Sequence, residues 1–176
     1  MPEEPGPPPA HLVRFVEGLP AAEHVLDLGC GDGRLSLSLR AGALTAADVS
    51  DVALRRAARR LPDAEVALVG VDEPLPFVDS EFELVLSAET IEHVRDVQLF
   101  LSEVRRVLRP GGGLALTTPA WSRRRLLRGF ERELSPLSPH LRFFTRRSLG
   151  GLLDAMGFTV DSMRRRHGTL MVRATR

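Results

Sequence analysis

Short apolar runs alternate along the chain with segments whose apolar residues recur at helical spacing. The runs predict strands at 24–28, 44–47, 65–69, 82–86, 113–118, 158–163 and 169–174. The helical spacing predicts helices over about 11–19, 35–42, 51–61, 96–108 and 149–156. Alternating strands and helices are typical of an α/β fold with a mostly parallel sheet and helices on both faces. A short turn joins the last two runs, so we expect those two strands to be antiparallel.

The length of 176 residues fits a single domain, which we place at 11–176. Residues 1–10 contain five prolines and are expected to form a flexible tail. This acidic start does not resemble a secretory signal, and no apolar run approaches the roughly 18 residues that would cross a membrane. Cys30 is the only cysteine, which excludes an internal disulfide and favours a reducing, cytoplasmic setting. The net charge of +1 does not by itself indicate nucleic-acid or membrane binding.

A glycine-rich loop follows the first predicted strand, with glycines at positions 29, 31 and 33. Glycines allow positive φ angles and let a ligand lie against bare backbone, although they can also mark a simple tight turn. The dinucleotide-binding fingerprint has its third glycine where this chain has Arg34, so the spacing does not match it. No Lys-Ser or Lys-Thr pair follows, which excludes a phosphate-binding loop of the Walker type. A nicotinamide-dependent oxidoreductase, the enzyme class that the dinucleotide fingerprint would indicate, is therefore the weakest of the enzyme hypotheses considered below.

Two acidic residues accompany this loop. Asp27 lies inside the first strand, where a carboxylate would repel a pyrophosphate but suit a cationic amino group. Asp48 ends the second strand, where an acid can accept hydrogen bonds from both hydroxyls of a ribose. A ligand with a cationic end, an adenosine and no phosphate is S-adenosylmethionine.

Further motifs follow in a fixed order: Leu75-Pro76-Phe77, the segment 80–83, the segment 106–112, and a closing block from Phe143 to Phe158. Together with the loop at 27–33, they resemble the class I S-adenosylmethionine-dependent methyltransferases of the ubiquinone and small-molecule subgroup. The resemblance runs from about residue 24 to 160. It implies a Rossmann-like sheet of seven strands with an antiparallel last strand, S-adenosylmethionine as cofactor and S-adenosylhomocysteine as product.

The resemblance also implies which residues bind the cofactor: Asp27, Gly29, Cys30, Gly31, Gly33, Asp48, Val49, Val71, Asp72 and Ser87. One position departs from the family pattern. Val71 stands where relatives have an acid that contacts the adenine amino group, and Asp72 is the nearest acid. Either residue is therefore a candidate for the adenine contact.

The segment Glu89-Thr90-Ile91-Glu92-His93 directly follows the fourth strand and is the main candidate for the substrate side. If it is helical, Glu89, Glu92 and His93 share one face. We take Glu89, His93 and the later His140 as candidate catalytic residues, acting as a general base or as substrate contacts. The same side chains with Glu92 could instead bind a divalent metal, because the segment resembles that of metal-dependent small-RNA 2′-O-methyltransferases. A hydrogen-bonded structural pair is the remaining alternative, and we assign no metal.

An apolar stripe in the segment 121–134 is surrounded by arginines and predicts either a lid over the pocket or a solvated helix face. Arg164, Arg165 and Arg166 are expected to be solvated as well. Only about two dozen residues precede the first strand, so we expect an open pocket in a monomer, or one completed in a homodimer.

The function predicted from the sequence is methyl transfer to oxygen, nitrogen or carbon of a small molecule, with no membrane partner. Two alternatives remain: metal-dependent 2′-O-methylation at an RNA 3′ end, and a non-catalytic S-adenosylmethionine-binding module. The RNA hypothesis would make nucleic acid a partner, with affinity that falls steeply as salt rises.

Overall fold

The computed structural model of the protein describes residues 6–121 and 141–176. The helices are α1 Ala10–Glu17, α2 Asp51–Arg60, α3 Val97–Val107 and α4 Arg146–Ala155. The strands are β1 Ala22–Leu28, β2 Ala41–Asp48, β3 Glu65–Leu68, β4 Phe82–Ala88, β5 Leu108–Pro119, β6 Thr159–Arg166 and β7 Thr169–Thr175. No helix in these two ranges is both long and apolar enough to span a bilayer.

The described strands form one sheet of seven in the order β3-β2-β1-β4-β5-β7-β6. The first five strands are parallel, and β7 runs antiparallel to both β5 and β6. The predicted α/β fold, with its antiparallel last strand, is confirmed. Because β1 lies between β2 and β4, the strand order reverses at β1, and such a reversal opens a crevice beyond the carboxyl ends of the strands.

Helices cover both faces of the sheet because alternate strand residues are apolar on both sides. On one face, Val16 of α1 packs with Val25, Leu84 and Leu86, and α2 packs nearby on Ala46. On the other face, α3 and α4 bury their apolar stripes against the opposite side chains of β1, β4, β5 and β7. The central strands β4 and β5 and the second half of β1 are therefore buried on both faces, whereas the edge strand β3 is largely exposed.

The predicted helix after the glycine loop is wrong. Only a short 3₁₀ turn, Ser36–Ser38, is present, and β2 begins at Ala41. The Ser36 hydroxyl donates a 2.6 Å hydrogen bond to the buried Asp27 carboxylate, which holds this turn against β1. Because Ala41 already pairs with Ala22 of β1, the chain must be extended where the apolar spacing alone favours a helix.

Candidate active site

Each glycine of the loop after β1 adopts a left-handed conformation, with φ values of 83°, 56° and 77° at Gly29, Gly31 and Gly33. A Cβ atom at Gly29 would lie 2.2 Å from the Thr90 Oγ1 atom, and one at Gly33 would lie 2.8 Å from Leu61 Cδ1. A Cβ atom at Gly31 would meet nothing within 4 Å. The outer glycines are thus required for close packing, and the middle one leaves accessible backbone.

The Asp48 carboxylate connects the glycine loop to the end of β2. One oxygen accepts a 2.8 Å hydrogen bond from the Gly31 N–H, and the other accepts one of 2.9 Å from the Ser50 N–H. Each carboxylate oxygen has two lone pairs, so both can still accept from a ligand. Asp48 also lines the cavity described below, which places an acceptor beside the open backbone.

Asp27 lies beneath the loop and is only 2% exposed. Burial raises its pKa from 3.8 to about 6, the hydrogen bond from Ser36 opposes that rise, and the charge of Asp48 adds to it. A carboxylate with this pKa is easily neutralised near pH 6 in the absence of a cation. Asp27 supports the loop from below. It is not among the residues that line the cavity described below.

We expect the replacement Asp27→Asn to change the pH dependence of stability. The folded protein retains a proton on Asp27 that the unfolded chain releases, so wild-type stability falls as pH rises through about 6. We compare the free energy of unfolding of the variant with that of the wild type at each pH. This difference should move by about 1 kcal/mol in favour of the variant from pH 5 to pH 7. Urea denaturation at both pH values measures this difference. Asp63→Asn, at an exposed position, is the control. If Asp27→Asn differs from the wild type by the same free energy at both pH values, the pKa of Asp27 is not raised in the folded protein.

A cavity of about 320 Å³ extends from the glycine loop to the segment after β4. It passes between the end of β2, the 69–75 segment and the first half of α3. Its apolar walls include Val49, Val69, Leu75, Leu99 and Phe100. Its acidic side chains are those of Asp48, Asp72, Glu73, Glu89, Asp96 and Glu103.

The 75–79 segment beside this cavity is held by an ion-pair network that the sequence analysis did not identify. The Arg106 guanidinium donates to the carbonyl oxygens of Leu75 and Phe77 at 2.9 and 2.8 Å, and it pairs with Asp79 and Glu103. Glu103 in turn accepts a 2.7 Å hydrogen bond from the Leu75 N–H. Its pKa is lowered chiefly by the hydrogen bond from Arg106. The signal in the sequence was an acid on the apolar face of α3, three residues before an arginine.

The predicted cofactor residues fall into two groups. Gly29, Asp48, Val49, Val71 and Asp72 line the cavity, whereas the others lie outside its lining: Asp27, Cys30, Gly31, Gly33 and Ser87. Asp72 is tied to the start of α3, because its Oδ1 atom accepts a 3.0 Å hydrogen bond from the Asp96 N–H.

Two of the residues outside the lining are buried side chains that end in a hydroxyl or a thiol. Burial raises the pKa of the Cys30 thiol, which leaves it a small packing residue. Ser87 is fully buried, and its hydroxyl has no hydrogen-bond partner among the residues that the structure describes. Neither residue lines the cavity, and the contact predicted between each of them and the cofactor stays a prediction.

The predicted helical face after β4 is also wrong. Only the 3₁₀ turn Ile91–His93 forms there, and Glu89 precedes it with a left-handed φ of 53°. Glu89 and His93 both line the cavity, and Glu89 Oε1 accepts a 2.9 Å hydrogen bond from Thr117. Glu92 is buried instead, accepting a 3.0 Å hydrogen bond from Thr118 while its other oxygen lies 4.0 Å from His93 Nε2.

The metal hypothesis is not supported by this arrangement. In ranges 6–121 and 141–176, no group of three histidine, cysteine or acidic side chains is placed to hold an ion. His140 lies outside the described residues, as does the stripe predicted for the segment beyond Trp121.

The charges of the cavity fit a cationic nucleoside. Its described acidic side chains outnumber its one imidazole, that of His93, so a pyrophosphate would be repelled and a sulfonium or ammonium attracted. Asp48 supplies the acceptor that a ribose needs, and the neighbouring valine and leucine side chains can flank a flat base.

Comparison with known proteins agrees with this fit. A family model described as a methyltransferase domain matches residues 26–116. An uncharacterized methyltransferase of Synechocystis is 35% identical over 150 residues, covering 78% of this chain and 68% of that protein. A malonyl-[acyl-carrier protein] O-methyltransferase of Methylococcus capsulatus is 34% identical over 160 residues, covering 88% of this chain and 54% of that protein.

The solved structure of a putative methyltransferase from Bacillus halodurans superposes with a TM-score of 0.78. The match covers 94% of this chain and 97% of that one, at 16% identity, and it shows the shared fold alone. The chain spans about half the length of the curated relatives that it matches.

Proposed function

The chain belongs to the class I S-adenosylmethionine-dependent methyltransferase family, and we propose that it transfers a methyl group to oxygen, nitrogen or carbon of a small molecule. The observation that carries this proposal is one continuous, acid-lined cavity. It runs from Asp48, at the end of β2, past the glycine loop that follows β1, to Glu89 and His93, which follow β4. A nucleoside site and two groups able to accept a proton therefore share one space.

Residues at the first end would hold the cofactor. Asp48 would accept from the ribose hydroxyls, and the apolar walls from Val49 to Phe100 would enclose the adenine. Val71 and Asp72 border the adenine end and are the candidates for contact with its amino group. Asp27, beneath the loop, would supply negative charge near the cationic methionine portion.

Residues at the second end would serve the acceptor. S-adenosylmethionine supplies a methyl carbon that is already activated by the sulfonium, so positioning of the acceptor provides much of the rate. The acceptor's lone pair forms the new bond to carbon as the carbon–sulfur bond breaks and its electrons remain on sulfur. With a hydroxyl or amine acceptor, the released proton would pass to His93 or Glu89.

Calorimetry combined with a transfer assay tests the proposal. S-adenosylhomocysteine should bind the purified chain with micromolar or tighter affinity, whereas NAD should give no heat. Radiolabelled S-adenosylmethionine should then label at least one member of a panel containing amines, phenols and a malonyl thioester, the last because curated relatives are named for malonyl-[acyl-carrier protein]. Binding without transfer to any acceptor would favour the non-catalytic module, and NAD binding alone would overturn the proposal.

We expect His93→Gln to lower kcat by about 100-fold for an oxygen or nitrogen acceptor, because a neutral amide cannot accept the proton. Glu89→Gln should act in the same direction. The affinity for S-adenosylhomocysteine should stay within about twofold of the wild type in both variants, since binding of the adenosine end depends on other residues. His24→Gln, at the exposed start of β1, is the matched control. Unchanged kcat in both active-site variants would remove the proton-transfer role.

A further inference from the structure

A second cavity of about 320 Å³ lies on the face of the sheet that α1 covers, opposite to α3. We call it the arginine groove and define it by its basic residues: His11, Arg14, Arg164, Arg166 and Arg173. Phe15, Ser162 and Met171 complete its lining. The cofactor cavity is lined by none of these residues, so the two cavities are separate.

Strand alternation explains the arginine groove. Ser162, Arg164 and Arg166 are two residues apart on β6, so their side chains project from the same face, and Arg165 projects from the other. Because β6 is the edge strand, the two arginines of this set are exposed.

Packing against α1 holds a further arginine of the groove in place. The Arg173 guanidinium lies 5.6 Å from the centre of the Phe15 ring and donates a 2.8 Å hydrogen bond to the Gly18 carbonyl. Part of the arginine groove is therefore fixed before any ligand binds, which lowers the entropy cost of binding.

The arginine groove carries positive charge that carboxylates in ranges 6–121 and 141–176 do not neutralise. Among the described residues, no acidic side chain lies within ion-pair distance of Arg14, Arg164, Arg166 or Arg173. The pKa of His11 is lowered by burial and by the neighbouring His167 and Arg14. By contrast, Arg106, which lines another cavity, pairs with Asp79 and Glu103. The uncompensated charge indicates a place for an anion.

We propose that the arginine groove binds the phosphate or pyrophosphate group of a small molecule. Arginine side chains donate paired hydrogen bonds that match phosphate oxygens, and several of them here surround one concavity. A concave site of this volume suits a compact anion. The extended backbone of a nucleic acid instead needs a long, positively charged groove that follows it. Ser162 can add a hydroxyl donor. The proposal is independent of the methyl-transfer function, because the groove shares no residue with the cofactor cavity.

Titration of the whole chain with inorganic pyrophosphate tests the proposal. Wild-type protein should bind pyrophosphate at low ionic strength, and the single replacements Arg164→Gln and Arg166→Gln should each weaken binding by at least about tenfold, equivalent to about 1.4 kcal/mol. Arg165→Gln removes the same charge from the same exposed strand but from the other face, so it should stay within about twofold of the wild type. In the wild type, NMR titration should show the pKa of His11 rising when pyrophosphate binds, because the anion offsets the charges of His167 and Arg14.

Three outcomes would overturn the proposal. One is the absence of pyrophosphate binding by the wild type at millimolar concentration. Another is an equal loss of binding in Arg165→Gln, which would indicate a diffuse surface field rather than a site. The third is tight, salt-sensitive binding of a single-stranded RNA oligonucleotide without binding of pyrophosphate. Binding of S-adenosylhomocysteine should be unchanged in all three arginine variants, which separates failure of this proposal from failure of the methyltransferase assignment.

Discussion

Replacing Gly29 with alanine will lower the melting temperature by about 10 °C, the expected result of a loss of about 3 kcal/mol in a domain of this size. Two costs add up to this value. A left-handed φ costs a residue with a side chain about 1–2 kcal/mol, and an overpacked site costs about 1–3 kcal/mol more. The second cost arises because the new Cβ would lie 2.2 Å from Thr90 Oγ1, which already donates a hydrogen bond to the Ala88 carbonyl at 3.1 Å.

Two further variants separate these costs. Gly111 has a φ of 78° and open space around its Cβ position, so Gly111→Ala should show only the conformational cost. Adding Thr90→Ala to Gly29→Ala removes the side-chain atoms nearest the new methyl group and should restore part of the stability. Thermal melts followed by circular dichroism measure all of these variants. If Gly29→Ala is as stable as Gly111→Ala, the close contact between the loop and Thr90 is not a constraint.

Asp48→Ala should weaken binding of S-adenosylhomocysteine by about 1,000-fold. Hydrogen bonds to a charged acceptor contribute about 1.5–3 kcal/mol each, and the ribose of the ligand would donate two of them. The replacement also removes the acceptor for the Gly31 and Ser50 N–H groups, so the loop would be held to β2 only by the backbone hydrogen bonds from Gly29 and Cys30 to Ala47. Isothermal titration calorimetry measures the affinity. Thermal denaturation of the ligand-free protein measures how much stability is lost with the hydrogen bonds from Gly31 and Ser50.

The neighbouring Asp51→Asn supplies the control for Asp48→Ala. Asp51 is the first residue of α2, and its exposed side chain pairs with Arg55 on the same helix. Exposed ion pairs of this kind contribute little, so both affinity and stability should change only slightly. If Asp48→Ala retained affinity within about tenfold of the wild type, Asp48 could not be the ribose acceptor, and the adenosine end of the cavity would need a new assignment.

The fold was largely predictable from the sequence because apolar periodicity is a local signal. The buried parts of β1 and β4 are largely apolar runs, and α3 shows a clear stripe from Leu101 to Val107. The exception at 35–42 follows from a tertiary contact. Its leucines have helical spacing, but the hydrogen bond between Ser36 and Asp27 and the pairing of Ala41 with Ala22 hold the segment against β1.

The site was predictable only in part, because residue type and spacing do not specify the direction in which a side chain points. Gly29 and Asp48 lie at strand ends and line the cavity, and their contact with the cofactor stays a prediction. The predicted shared face of Glu89, Glu92 and His93 failed, since the backbone turns at Glu89 and sends Glu92 into the core toward Thr118. The predicted solvated arginines on β6 prove to divide between two faces, and this division depends on the register of the edge strand.

By itself, the sequence determined the layered order of strands and helices, the glycine loop after β1, and the acids at the ends of the first two strands. These features depend on residues close together in the chain, where periodicity and steric demands act locally. Only the tertiary structure decided which side chains share a cavity. The cofactor cavity is lined by residues 28, 48, 71, 89 and 93 because the parallel strands end at one edge of the sheet. The arginine groove includes Arg14, Arg164 and Arg173 because α1 lies on the same face of the sheet as these side chains of β6 and β7. Such contacts join residues far apart in sequence, and the packing of the whole sheet brings them together.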